Sequence, residues 1–318
     1  MTRDVPDEVL DAVTARSAAR AIRDWETADR LKAIIEAAGW RVIDRGTRSR
    51  VERAQPPDVI VEAGTRYGSS ASVPSLLDAP SSGAATIALV RAVDGVDRAS
   101  LVAALADGAP PGASLVVVAD GPDAADDPWL DAVSWAPGSV EVLRTSARLG
   151  LAPCLAIAVR RATGSVIVLA DGSAIAAPGA TPRLIAALED PSIAIVGAAG
   201  IGSAGLPRLH AAGPGDVTAV GLALAAFRRS DATQALPVDE RYRSAIHLAA
   251  WWSLALRDSG PGRSARRAVV LSDLLVGDRL VTDERARDRA ARRDGYRILE
   301  RFGDRPDLLV AGSDPGGA

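Results

Sequence analysis

The stretch "SVIVLADGSAIAAPG", residues 165–179, opens with an unbroken apolar run from Val166 to Ala170 and then turns through small residues with one acid, Asp171, at the tip. A short β-prone run bounded by turn formers fits a strand buried on both faces. The same unit recurs on either side of it. "ATIALV" (85–90), "SLVVVAD" (114–120), "SVEVLRT" (139–145) and "IAIVGAA" (193–199) alternate with helical patterns at "ASLVAALADG" (99–108), "PCLAIAVRRATG" (153–164) and "PGATPRLIAALED" (178–190). Near-continuous apolar strands separated by helices predict an α/β domain, a mostly parallel Rossmann-like sheet with helices on both faces. Ligands of such sheets bind beyond the carboxyl ends of the strands, which puts Asp120 and Asp171 at the candidate site.

Further along, "DVTAVGLALAAFRRSD" (216–231) reads as a strand ending in Arg228 and Arg229. A helix opened by Asp239 and closed by Gly260 and Pro261 follows, and a last one runs from about Thr282 to Gly303.

The amino-terminal part reads differently. Pro6 suits a first helical turn, and Val9, Leu10, Val13 and Ile22 give that helix an apolar side. Asp24 restarts the pattern as an N-cap, Ala28, Leu31, Ile35 and Ala38 continue it, and Gly39 ends it. "WRVIDRGTRSRVE" (40–52) then alternates around a glycine like two short strands. The expected organisation is a helical hairpin with short strands over 1–54, a Pro/Ser/Gly-rich linker with one strand, Val59 to Glu62, over 55–83, an α/β domain over 84–312 and a tail over 313–318.

Composition narrows the function. The chain has 318 residues, 48% hydrophobic and 24% charged, with net charge -3, a balance that gives no electrostatic reason to expect DNA. No apolar run reaches membrane-spanning length, the first residues lack a signal-peptide pattern, and a single cysteine, Cys154, rules out an internal disulfide; a cytoplasmic protein is expected. Cys154 sits in an apolar run and reads as core. With two histidines far apart, His210 and His247, no zinc set of ordinary ligand count exists.

The stretch "RDWETADRLKAIIEAAGWRVIDRGTRSRV" (23–51) resembles the carboxy-terminal helical segment of cysteinyl-tRNA synthetases, with Ser49 in place of the final aromatic of their pattern. That resemblance implies tRNA contact. The acidic overall balance argues against it, and a docking or oligomerisation hairpin is the other reading.

The order of pieces from 84 to 310 resembles the family-2 glycosyltransferases of GT-A fold. "SLVVVADGPDAAD" corresponds to their "VVDDGSxD", and "ARLGLAPCLAIAVRRATGSVIVLADGS" to "NxGxAxARNxGIxxAxGxxVxxLDxD". "LAAFRRSD", "LPVDERY" and "WWSLALRDSG" correspond to "xAFRRxxF", "GxFDExF" and "DxDLSLRLRxxG", and "RDGYRILERFGDRPDLLV" to the end of bacterial members. The resemblance implies transfer of a sugar from a nucleotide sugar to an acceptor, helped by a Mg or Mn ion on the phosphates and a carboxylate that takes the acceptor's proton.

Position by position, it puts Asp171 at the first metal-motif acid and Ser173 at the second, Trp251 at the base and Ala249 at the acid before it. Ala156 and Arg148 stand at two asparagines. Asp120 and Gly121 remain of the nucleotide motif, Arg228 and Arg229 of the phosphate-side motif, and Asp239 and Glu240 near the acceptor as the catalytic candidates. Because catalytic marks are lost where scaffold marks persist, a pseudo-glycosyltransferase that only binds or scaffolds is the alternative reading.

Plainer roles stand beside these. Asp171 and Asp120 can cap turns. Arg228 and Arg229 can grip a diphosphate or lie on a solvated strand end. Trp251 and Trp252, about 100° apart on a helix, can line a sugar cleft or pack in separate interfaces. The basic helix "RARDRAARRDGYR" (285–297) reads as a solvated face, with an acidic partner as the rival.

Overall fold

The computed structural model describes residues 5–45, 48–62, 64–90, 97–172, 174–258, 264–275 and 289–310. The chain divides into two units, Met1–Pro57 and Asp58–Ala318.

In the first unit, helices α1 (Asp7–Ala21) and α2 (Trp25–Ala37) precede an antiparallel ribbon, β1 (Trp40–Arg45) and β2 (Arg48–Arg53). Asp24 starts α2 by accepting the Thr27 N–H at 3.1 Å. Val9, Ala12, Ile35 and Trp40 form its small core. At its edge the Asp44 carboxylate gathers Arg16, Arg20 and the Ser49 hydroxyl, so the serine in the aromatic's place is committed to an internal ion cluster.

The second unit runs β3 (Val59–Val61), β4 (Gly64–Tyr67), β5 (Gly83–Val90), α3 (Arg98–Ala106), β6 (Ser114–Ala119), α4 (Pro122–Ala125), α5 (Trp129–Ala132), β7 (Val140–Thr145) and α6 (Leu151–Arg161). It continues with β8 (Gly164–Asp171), α7 (Ala180–Ala187), β9 (Ile193–Gly197), β10 (Gly200–Gly205), β11 (Arg208–Ala212), β12 (Gly215–Val217), β13 (Ala219–Val220) and β14 (Leu224–Arg228). Then come α8 (Arg229–Ala235), α9 (Ala245–Arg257), β15 (Arg267–Val270) and α10 (Arg289–Phe302).

A ten-stranded sheet has the order β12-β15-β9-β14-β8-β5-β6-β7-β4-β3, and β11-β10-β13 form a small second sheet. Neighbours from β8 through β4 are parallel, as are β9 and β15, whereas β14 runs against both its neighbours. This is an α/β fold with a mostly parallel sheet. Strand alternation divides its core in two. Ala88, Val90, Val116, Val118, Ile167 and Leu169 pack with α6, α8, α9 and α10 on one face; Ile87, Leu89, Leu115, Val117 and Val168 pack with α3 and α7 on the other.

Two expectations need correcting. The stretch read as a linker, 55–83, contains two strands, and β4 joins the sheet beside β7. Val73 in it is fully buried, and Arg160 and Arg229 donate to its carbonyls at Val73, Leu76 and Ala79. Its backbone is held by these arginines and by main-chain bonds such as Leu76 N–H to Arg160 O and Ser82 N–H to Thr163 O, partners that composition does not reveal.

The helix expected to open at Asp239 begins at Ala245. Asp239 folds back on Arg241, accepting its backbone N–H at 3.0 Å and its guanidinium at 2.9 and 2.7 Å, a local turn that competes with helix. The expected stop at Gly260 and Pro261, the start of the last helix near Thr282 and the tail lie outside the described residues.

Candidate functional site

Asp120 follows the end of β6 and Asp171 ends β8, with β5 between them, so both acids stand at the carboxyl edge of the parallel strands. Both are buried, 8% and 6% exposed. Alternation sends each to the same face as its neighbours Val118 and Leu169, the side covered by α6 and α9. Strands are about 4.8 Å apart, so β6 and β8 run roughly 10 Å from each other, and Asp171 stands level with Val118, two residues before Asp120.

Asp120 has a definite employment. Its carboxylate accepts the N–H of Leu149 at 2.6 Å and of Gly150 at 2.9 Å, with the Thr145 hydroxyl at 3.4 Å. These amides precede α6, where a helix leaves N–H groups unpaired and favours negative charge. Asp120 is therefore the built-in anion of that helix start. Gly121 makes the arrangement possible. With φ +101° it turns the chain, and a Cβ there would lie 3.3–3.4 Å from Arg148, so its hydrogen lets the two loops touch. Its N–H is held by the Thr145 hydroxyl at 2.7 Å.

Asp171 is fixed through its backbone. Its N–H reaches Ala223 O at 2.9 Å, where the chain is about to enter β14, and the next amide, Gly172, reaches Val90 O at 2.9 Å. The position expected for its partner, Ser173, lies outside the described residues. A Mg or Mn ion was the implied cofactor. Among the described residues no group of three or more His, Cys, Asp or Glu side chains could hold a metal ion, so the described donors do not by themselves make a cation cage.

Glu240 also reaches this edge. It accepts a hydrogen bond from Ser70, which follows β4, itself parallel to β7. Asp239, next to it, has its carboxyl held below the usual range, chiefly by the hydrogen bond from Arg241. The fold thus sets Asp120, Gly121, Asp171 and, through Ser70 after β4, Glu240 with its neighbour Asp239 along one edge of the sheet.

It does not bring Arg228 and Arg229 there. Because β14 is reversed, its far end lies beside Val166, at the opposite edge. Arg228 donates to the carbonyls of Ile193, Leu188 and Asp190, and Arg229 to those of Ala162, Leu76 and Ala79. Both tie down chain ends, and neither faces the acids.

Trp251 and Trp252 are likewise corrected: at 1% and 0% exposure they are core. Trp251 packs between Tyr242, at 5.8 Å, and the Arg301 guanidinium, at 5.4 Å; Trp252 meets Phe227 edge-on at 5.4 Å.

Sequence reading passed over Thr145 and Ser70, which position the acids, and Arg243, whose side chain reaches over Gly150. Arg148 was visible only as a displaced asparagine. No spacing signal marks Arg243 or Ser70, because loops from distant parts of the chain bring them in.

Residues 99–215 match the family model described as Glycosyl transferase family 2. That span holds Asp120, Gly121, Arg148 and Asp171, and supports a glycosyltransferase-like domain in the second unit. No curated protein matches the chain. Among solved structures, the chain is similar to GalNAc-T7 with UDP, GalNAc and Mn2+, at 13% identity and TM-score 0.47 over 59% of this chain and 42% of that one. It is also similar to S. aureus TarS 1-349, at 17% identity and TM-score 0.43 over 60% and 58% of the two chains. A third likeness is to the mannosyltransferase PcManGT from Pyrobaculum calidifontis in complex with GDP-Man and Mn2+, at 17% identity and TM-score 0.44 over 77% and 70%. The chain spans less than half the length of GalNAc-T7. No helix among the described residues is long and apolar enough to cross a membrane.

Proposed function

We propose that the second unit transfers a sugar from a nucleoside diphosphate donor to an acceptor hydroxyl. The observation that carries this reading is that Asp120, Asp171 and Glu240 all stand along the carboxyl edge of the strands, inside and beside the segment that matches the family-2 model.

In this reaction the bond from the anomeric carbon to the phosphate oxygen breaks, and its electron pair leaves with the nucleoside diphosphate. A bond forms from the acceptor oxygen, whose proton must go to a base. Trp251, at the position where the resemblance expects that base, is buried and has no proton-accepting group. We assign the proton to Glu240, the carboxylate whose Ser70 contact ties it to the same edge. Asp171 and Asp120 shape the donor end, Asp120 by holding the loop before α6 in place.

Calorimetric titration with UDP, GDP and TDP sugars, followed by a transfer assay on Glu240→Gln and Asp171→Asn, tests the proposal. Expected are donor binding on the order of micromolar and a turnover that falls on the order of 100-fold in Glu240→Gln with donor affinity retained. Donor binding with no turnover under any acceptor would favour the binding or scaffolding alternative. Absence of donor binding sinks the reading.

A further inference from the structure

We propose that Arg148 and Arg243 supply the positive charge that holds the donor diphosphate, so that this chain binds nucleoside diphosphates without a divalent cation. The inference rests on the donor-binding reading above and goes beyond it to name the groups and the ion requirement.

Three observations lead to it. First, the described residues offer the phosphates no cation cage, and Asp171 by itself is a weak hold on a divalent ion. Negative charge on a diphosphate still has to be balanced. Second, two of the backbone amides at that place are taken, because Asp120 already accepts the N–H groups of Leu149 and Gly150. Third, two guanidinium groups remain at that same place while the other described arginines nearby are committed. Arg241 is bound to Asp239, Arg144 to Asp131, Arg98 to Asp127 and Arg66 to Asp126.

Arg243 is exposed, and its side chain makes no hydrogen bond or ion pair with any described residue. Its Nη1 lies 4.0 Å from where a Cβ on Gly150 would stand, so the guanidinium hangs over the start of α6. Its backbone is firmly placed. The buried Asp294 carboxylate, 1% exposed and paired with Arg297, accepts the N–H of Arg243 at 2.8 Å and of Ser244 at 2.9 Å.

Arg148 lies two residues before Gly150 on the loop that Asp120 anchors. Its one ion pair among the described residues, to Asp123 at 3.8 Å, joins side chains 75% and 87% exposed, a contact that water already weakens and a phosphate can displace. Anchored backbones with free heads suit guanidinium forks, which match phosphate oxygens in pairs.

The test is titration of the full chain with UDP, GDP, TDP and inorganic pyrophosphate, in EDTA and in Mn²⁺, for the wild type, Arg148→Gln, Arg243→Gln, the double variant and Arg243→Lys. Expected is nucleotide binding in EDTA within about threefold of that in Mn²⁺, weakened on the order of tenfold by each glutamine, and partly kept by lysine. Both side chains are exposed, so the variants keep the wild-type Tm. A nucleotide that binds the wild type only with Mn²⁺, or binds the double variant as tightly as the wild type, overturns the inference and leaves the donor-binding reading standing. Failure of every nucleotide in both buffers overturns both.

Discussion

The Asp120 carboxylate and the Gly150 amide nitrogen lie 2.9 Å apart, an acid at the end of one strand serving as the cap of a helix that follows another. Asp120→Ala leaves the Leu149 and Gly150 amides unpaired, a loss of about 1–3 kcal/mol for poorly hydrated groups. The expected outcome is a Tm lowered by several degrees and weaker donor binding together. A Tm equal to wild type with binding abolished would mean that Asp120 meets the ligand directly.

Arg229 is a girder at the opposite edge of the sheet. Arg229→Gln removes three bonds to the carbonyls of Ala162, Leu76 and Ala79, and a destabilisation of about 2 kcal/mol or more is expected, with nucleotide affinity unchanged in the folded fraction. Urea unfolding beside calorimetric titration separates the two effects; a selective loss of affinity would return this arginine to the donor site.

Arg257 is buried, 3% exposed, and burial pushes its guanidinium down to about 10. Its bonds go to the carbonyls of Arg266 at 2.7 Å, Thr218 at 2.5 Å and Leu308 at 2.6 Å, joining three segments. Arg257→Leu strands those carbonyls. A loss of about 3 kcal/mol and faster proteolysis around Leu308 are expected, read by thermal unfolding and by mapping the first cleavage.

Asp44 carries a pH dependence confined to the first unit. The hydrogen bond from Arg16 lowers its carboxyl from 3.8 to about 2 in the folded chain. A depressed carboxyl stabilises fully above its unfolded value, and that contribution is lost as pH falls from about 4 to about 2. With a quarter of the Asp44 side chain exposed, the contribution is about 1 kcal/mol. The Tm difference between wild type and Asp44→Asn should therefore be present at pH 5 and vanish near pH 2, measured by calorimetry. A difference that persists at pH 2 would remove the ion pair as its cause.

Much of the sheet was legible because most of its strands are near-continuous apolar runs: 85–90, 114–119, 166–170 and 193–197, and the more mixed 140–145, all fall within strands of the large sheet. The acids at their ends were legible for the same reason, since a strand in a parallel sheet fixes where its next residue stands. The reversal of β14 was not, because Leu224–Arg228 has the composition of its parallel neighbours and direction is set by the path of the chain between them. That single reversal carried Arg228 and Arg229 to the wrong edge. The tandem tryptophans were ambiguous on paper because adjacent helical residues diverge by about 100°; here both stay in one core, their rings 5.9 Å apart, with Trp252 against Phe227 of the sheet and Trp251 against Tyr242 and Arg301 of α10.

The site is mechanically lopsided. On the Asp171 side the main chain is tied to Ala223 on one flank and Val90 on the other; on the Arg148 and Arg243 side the backbone is tied and the heads are long and exposed, Arg148 with only a loose pair to Asp123. If Arg148 and Arg243 hold the donor as proposed, the site works as a vice with one fixed jaw. Differences in ligand length would be absorbed by the arginines, while differences in shape would be refused at the Asp171 wall. Altering what this protein accepts then means cutting into the fixed jaw, where each change is felt by the sheet itself.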